Sequence, residues 1–157
     1  MREAVRFNKV FPQRFMDNTR LVTVNEAAAI SGKDGLPCIG TVSLYSCLGL
    51  ALYDKENMVG GAAHLYLGRK TADAKAVRPM LDLLLELSDS KGGALYHIYA
   101  FNALNGVRTW SEELTGHLNG MMFSLIESGR ASGFSHRDER NFILDARDGS
   151  LFTGRSH

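Results

Sequence analysis

Thr41-Val42-Ser43-Leu44-Tyr45-Ser46-Cys47-Leu48-Gly49-Leu50-Ala51-Leu52-Tyr53, a polar break at Asp54-Lys55-Glu56-Asn57, and then Met58-Val59-Gly60-Gly61-Ala62-Ala63-His64-Leu65-Tyr66-Leu67 form the stretch whose reading decides the fold. Two apolar runs around a short polar turn read as a β-hairpin. Pairing them as neighbouring strands brings Cys47, which opens the first run, toward His64 in the second. A free cysteine is mostly thiol at neutral pH, so a nucleophilic one needs an adjacent base or cation. His64 is the candidate base. Thr41, on the strand before the cysteine, offers an oxygen that would fix the imidazole tautomer. Backbone N–H groups around Ser46 and Cys47 could hold an oxyanion, Tyr45 and Ser46 would line the mouth of the site, and Gly60 and Gly61 would allow close backbone approach. Such a thiol can attack an amide and is expected to alkylate well below the unperturbed thiol pKa.

Working outward, Leu21 to Ile30 begins with apolar and polar residues in alternation and reads as a half-buried strand, followed by a loop at Ser31-Gly32-Lys33-Asp34-Gly35-Leu36-Pro37. Downstream the period changes. Ala72, Ala76, Val77, Met80, Leu81, Leu84, Leu85 and Leu87 recur at helical steps and predict a helix over about 72–88, with Pro79 a point of weakness. Ser88 to Gly93 stops it, and Ala94 to Phe101 has the aromatic and branched content of a strand. A second helix is predicted over Ser111–Glu127, with Ser111 as N-cap, Glu112 and Glu113 in its first turn and Gly129 at its exit. The tail from Asn141 to Phe152 reads as a hairpin around Asp148-Gly149. Strands, helix, strand, helix and hairpin in that order give an α/β (α+β) sandwich: a mixed, mostly antiparallel sheet arrangement with two main helices.

The chain has 157 residues, which fits one domain, read here as residues 21–157 behind an N-terminal arm at 1–20. A formal charge of +1 with 22% charged residues argues against a dedicated nucleic-acid or membrane-surface binder. No stretch approaches the ~20 apolar residues needed to span a bilayer, and no apolar leader stands at the N-terminus. Two cysteines, Cys38 and Cys47, make no disulfide framework and no C-x-x-C motif, so a reducing, cytoplasmic setting is expected, with delivery by a specialised secretion route left open. Cys38, His97 and His117 read as structural, with no metal site expected. Met121-Met122-Phe123 reads as core and Arg137-Asp138-Glu139-Arg140 as a solvated turn.

Thr41, the Leu44-x-Ser46-Cys47 turn, the apolar strand ending in Tyr53-Asp54, and Gly60-Gly61-Ala62-Ala63-His64 resemble the signature of the CheD chemoreceptor glutamine deamidases. The order of later elements is also similar, over roughly residues 20–154. The resemblance implies an α/β sandwich of the kind found in toxin deamidase domains, with Cys47 as nucleophile, His64 as base and Thr41 as its orienting partner. It implies hydrolysis of a protein glutamine side-chain amide to glutamate and ammonia, without cofactor or metal. The protein substrate would be a chemoreceptor or another protein with an exposed glutamine. The chain departs from the pattern at Tyr45, where the family has Gly, and at Asn102-Ala103-Leu104-Asn105-Gly106, where the family has Gly-Gly-Ala. A binding module that docks a receptor or a regulatory phosphatase stays open as the alternative, as do transglutamination and proteolysis by the same thiol.

Overall fold

The computed structural model describes residues 17–45, 47–67, 74–102 and 111–154. Among the described residues, nine strands form two sheets. The first contains, from edge to edge, Thr19–Leu21 (β1), Cys38–Thr41 (β3), Asn141–Asp145 (β8) and Leu151–Gly154 (β9). The second contains Glu26–Ser31 (β2), Val59–Tyr66 (β5), Cys47–Asp54 (β4), Tyr96–Phe101 (β6) and Ala131–Arg137 (β7). Both are mixed: β1 runs parallel to β3 and β6 parallel to β7, while the other pairs are antiparallel. Helices Val77–Ser90 (α1) and Ser111–Glu127 (α2) cover the outer face of the second sheet. The architecture is the α+β sandwich that the element order predicted.

The hydrophobic run of β4 has no polar face because both of its faces are covered. Leu48, Leu50 and Leu52 point outward into a core with Leu81, Leu84 and Leu85 of α1 and Leu114, Leu118 and Met122 of α2. Each such leucine, fully withdrawn from water, contributes about 2 kcal/mol. Cys47 and Ala51 point the other way, into the inter-sheet layer with Ile39, Phe142 and Leu144. There Phe101 of β6 stacks on Phe142 of β8 with ring centroids 4.2 Å apart, which ties the two sheets at their centre.

Several boundaries differ from the sequence reading. The strand expected from Leu21 to Ile30 is two strands in different sheets. The chain crosses between them in a tight turn where Thr23 N–H donates to the Glu26 carboxylate, Glu26 N–H donates to the Thr23 carbonyl, and Asn25 adopts a φ of 61°. The first helix begins with a 3-10 turn at Ala74–Ala76, and residues 72 and 73 lie outside the described segments. Pro79 is the third residue of α1, in the first turn, where an N–H has no intrahelical acceptor, so it starts the helix and does not weaken it. The exit of α2 is as expected: Gly129 has φ 77°, and Arg130 N–H closes back on the Leu125 carbonyl at 2.8 Å. Phe123 is 63% exposed, so only Met122 of the expected Met-Met-Phe cluster is fully in the core. The strand β7 had no counterpart in the sequence reading. The hairpin β8–β9 turns at Asp148-Gly149 with Leu144 opposite Leu151. The N-terminal arm falls outside the described residues up to position 16.

Gly61 shows how closely α1 lies on β5. A Cβ there would stand 2.7 Å from Ser88 Oγ and 2.9 Å from Leu84 Cδ1. Gly61→Ala is therefore expected to lower stability in urea unfolding by about 1–3 kcal/mol. Gly120→Ala, on an open face of α2 with nothing within 4 Å, is expected to raise it by about 0.5–1 kcal/mol.

Candidate active site

The β4–β5 register sets the site. Cys47 pairs with Tyr66 and Gly49 with His64, and residues paired across antiparallel strands share a face. Cys47, Gly49, His64 and Tyr66 therefore all lie on the face turned toward the first sheet. Cys47 and His64 are diagonal neighbours, a relation with Cα atoms about 7–8 Å apart and side chains within reach. Gly49, between them, has no room for a side chain: a Cβ would meet Leu44 Cδ1 at 2.6 Å, and Phe101 Cβ and the Phe142 ring each at 3.2 Å.

Thr41, the last residue of β3, reaches across the sandwich from the first sheet. Its Oγ1 lies 2.8 Å from the Val22 carbonyl and 2.7 Å from His64 Nδ1. A carbonyl only accepts, so the single hydroxyl proton goes to Val22, and toward His64 the threonine oxygen must accept. Nδ1 thus carries a proton, which in the neutral imidazole leaves the lone pair on Nε2. Thr41 and His64 are both buried, and the Val22 position is held by its own N–H bond to the Gly40 carbonyl at 2.9 Å.

Cys47 is only 6% exposed, and burial pushes its thiol up to about 11. The sequence reading expected a thiol that ionises unusually easily. The structure instead holds it desolvated among Leu44, Phe101 and Phe142, surroundings that disfavour the thiolate. Cys38 is also buried, and its thiol is likewise pushed up to about 11, by burial first and then by the Asp145 carboxylate.

The turn before Cys47 is tied from two sides. Ser43, with φ 65°, donates its N–H to Asn141 Oδ1 at 3.0 Å, and Leu44 N–H donates to the Arg140 carbonyl. From the opposite side, the buried Asn102 amide donates to the carbonyls of Leu44, Tyr45 and Cys47. Tyr45 sits at this turn with the Arg140 guanidinium 5.3 Å from its ring centre, so Arg140 is a specific contact where a solvated turn was expected. Arg137 and Glu139 of the same segment form an ion pair at 2.8 Å. Ser46 lies outside the described residues. Tyr66, which the sequence reading passed over, stands directly across from Cys47 and is 43% exposed. Its position two residues after His64 was a readable signal, since alternate strand residues share a face.

The other histidines stand apart. His97 Nε2 meets Ser135 Oγ at 2.9 Å on β7. His117 lies 4.0 Å from Glu113, an i,i+4 pair legible from spacing alone. Among the described residues no group of three or more His, Cys, Asp or Glu side chains could hold a metal ion, and no helix is long and apolar enough to cross a membrane. A hollow of about 430 Å³ lined by Arg78, Glu113, His117 and Met121 lies on the helix side, away from Cys47.

No family model matches the chain. It is 36% identical over 66 residues to a protein of Clostridium novyi (strain NT) named "Probable chemoreceptor glutamine deamidase CheD". The chain is similar to CheD. The match covers 38% of this chain and 41% of that relative, a shorter span than the residues 20–154 over which the resemblance was drawn.

Both buried thiols have raised pKa values in the folded state and ionise first in the unfolded chain. Their contribution to stability is complete below about pH 9 and is lost as pH rises toward about 11. Urea unfolding across that window is expected to show falling stability, with a shallower pH slope in Cys38→Ala and in Cys47→Ala. An unchanged slope in both variants would contradict the burial described above.

Proposed function

We propose that the chain is a cysteine-dependent protein-glutamine deamidase in which Cys47 is the nucleophile, His64 the general base and acid, and Thr41 the residue that orients the imidazole. The observation that carries this reading is the Thr41 bond to His64 Nδ1, which leaves Nε2 as a base on the face it shares with Cys47. The similarity to a protein named as a chemoreceptor glutamine deamidase supports the same chemistry and makes chemoreceptors the first substrates to try.

The buried thiol is neutral at rest, so it is activated by general-base transfer as it attacks. Cys47 Sγ gives its proton to His64 Nε2 and adds to the glutamine Cδ. Backbone N–H groups of the cysteine turn receive the oxyanion. The imidazolium then protonates the departing nitrogen, ammonia leaves, and a thioester remains. Water, deprotonated by Nε2, attacks the thioester, and the collapse releases the glutamate side chain and restores the thiol. The scheme uses no metal or cofactor.

One observation favours a second reading. A cysteine 6% exposed in apolar surroundings suits a module that keeps the fold to dock a receptor or a regulatory phosphatase. Ammonia release and glutamine-to-glutamate conversion, measured on cytoplasmic fragments of bacterial chemoreceptors, separate the two. Deamidation that vanishes in Cys47→Ser supports the enzyme. Binding of a fragment by the wild type with no conversion supports the module, and conversion undiminished in Cys47→Ser would overturn the proposed nucleophile.

Thr41→Ser is expected to keep activity because the hydroxyl can still accept from Nδ1–H and donate to Val22. Thr41→Val keeps the shape but leaves the buried Val22 carbonyl and Nδ1 without that partner. Its expected loss is on the order of 10²-fold in kcat and about 1–3 kcal/mol in stability, read by steady-state kinetics and urea unfolding.

A further inference from the structure

Between β3 and β4 the described residues 42–45 belong to no strand: the β4–β5 ladder begins at Cys47 itself, opposite Tyr66, and does not hold the chain that leads into it. Asn102, at the far end of β6, supplies what the ladder does not. Its Nδ2 lies 3.1 Å from the Tyr45 carbonyl and 3.1 Å from the Cys47 carbonyl, and it also contacts the Leu44 carbonyl. The side chain is 1% exposed, its own N–H is held by the Arg137 carbonyl at 3.0 Å, and its φ is 68°. Few residues meet all these demands. Asparagine tolerates the left-handed region better than most side chains, and its short amide offers two donors from one atom. Glycine would accept the backbone angle without donors. Aspartate would set a carboxylate against three carbonyls.

Resting on the reading of Cys47 and His64 as nucleophile and base, we propose that Asn102 is a positioning residue that holds the nucleophile turn so that Cys47 faces His64. It acts on the reaction through the backbone carbonyls of Leu44, Tyr45 and Cys47. The amide is withdrawn from water, so a rigid partner of this kind keeps the sulfur in line without being reorganised when the thiol transfers its proton.

The test compares wild type, Asn102→Gly and His64→Ala by alkylation with iodoacetamide across a pH series, with label at Cys47 and Cys38 mapped by mass spectrometry. Asn102→Gly removes the amide while keeping a residue at ease with positive φ. Cys47 of the wild type is expected to show a neutral-pH component of reactivity that His64→Ala abolishes. In Asn102→Gly that component is expected to fall roughly tenfold or more, while the Cys38 profile and the circular dichroism of the folded protein stay as in the wild type. A His64-dependent component that survives in full in Asn102→Gly overturns the positioning role and leaves the active-site reading intact. No His64-dependent component in the wild type overturns the active-site reading, and the role of Asn102 with it. Should the glycine variant not fold, Asn102→Ser, which keeps a single shorter donor, is read in the same way.

Discussion

The hydrogen bond from His64 Nδ1 to Thr41 Oγ1 crosses from one sheet of the sandwich to the other, and much of the structure serves to make it possible. Thr41 belongs to the first sheet, while His64 and Cys47 belong to the second. A bond of 2.7 Å between them requires the sheets to pack closely at that point. Small residues allow it. Gly49 and Ala51 on β4 and Gly60 and Ala62 on β5 occupy the inter-sheet face, and Phe101 stacked on Phe142 sets the spacing beside them. Val22 completes the arrangement by accepting the hydrogen bond of the threonine hydroxyl, so the crossing between β1 and β2 takes part in defining the tautomer.

The same packing governs the thiol. Apolar neighbours exclude water from Cys47 and hold it protonated, and they also remove the dielectric screening that weakens polar interactions in solution. A neutral thiol beside a neutral imidazole is the arrangement with no buried charge, which is the least costly resting state in such surroundings. In the proposed reaction charge develops only during proton transfer, when Thr41 is already in place at His64 Nδ1.

What the sequence revealed follows the range of the interactions involved. The β4–β5 hairpin was legible because its two apolar runs and polar turn are local, and Thr41, Cys47 and His64 lie within one short stretch. The end of α2 was legible for the same reason, with Gly129 marking it. β7 was not, because Ala131-Ser132-Gly133-Phe134-Ser135-His136-Arg137 has few strand-favouring residues. It is a strand by virtue of pairing parallel to β6, a contact made only in the folded chain. The Asn102 bonds were hidden too, since they join residues 55 to 58 positions apart. The split of residues 21–30 into two strands turned on Asn25 and its positive φ, a signal that the alternation of neighbouring residues outweighed in the sequence. Arg140 looked like part of a charge-balanced turn because its partner is an aromatic ring almost a hundred residues away.

The central claim is that Thr41 holds His64 with its proton on Nδ1 and its lone pair on Nε2, on the face of the sheet that His64 shares with Cys47. Long-range proton–nitrogen NMR correlation on uniformly nitrogen-15-labelled protein at neutral pH reads this directly, with His64→Ala assigning the ring signals. The account predicts a protonated, pyrrole-type Nδ1 and an unprotonated, pyridine-type Nε2 in the wild type, with that preference weakened in Thr41→Val. A ring protonated on Nε2 alone would contradict it, because Nε2 would then have no lone pair to take the thiol's proton.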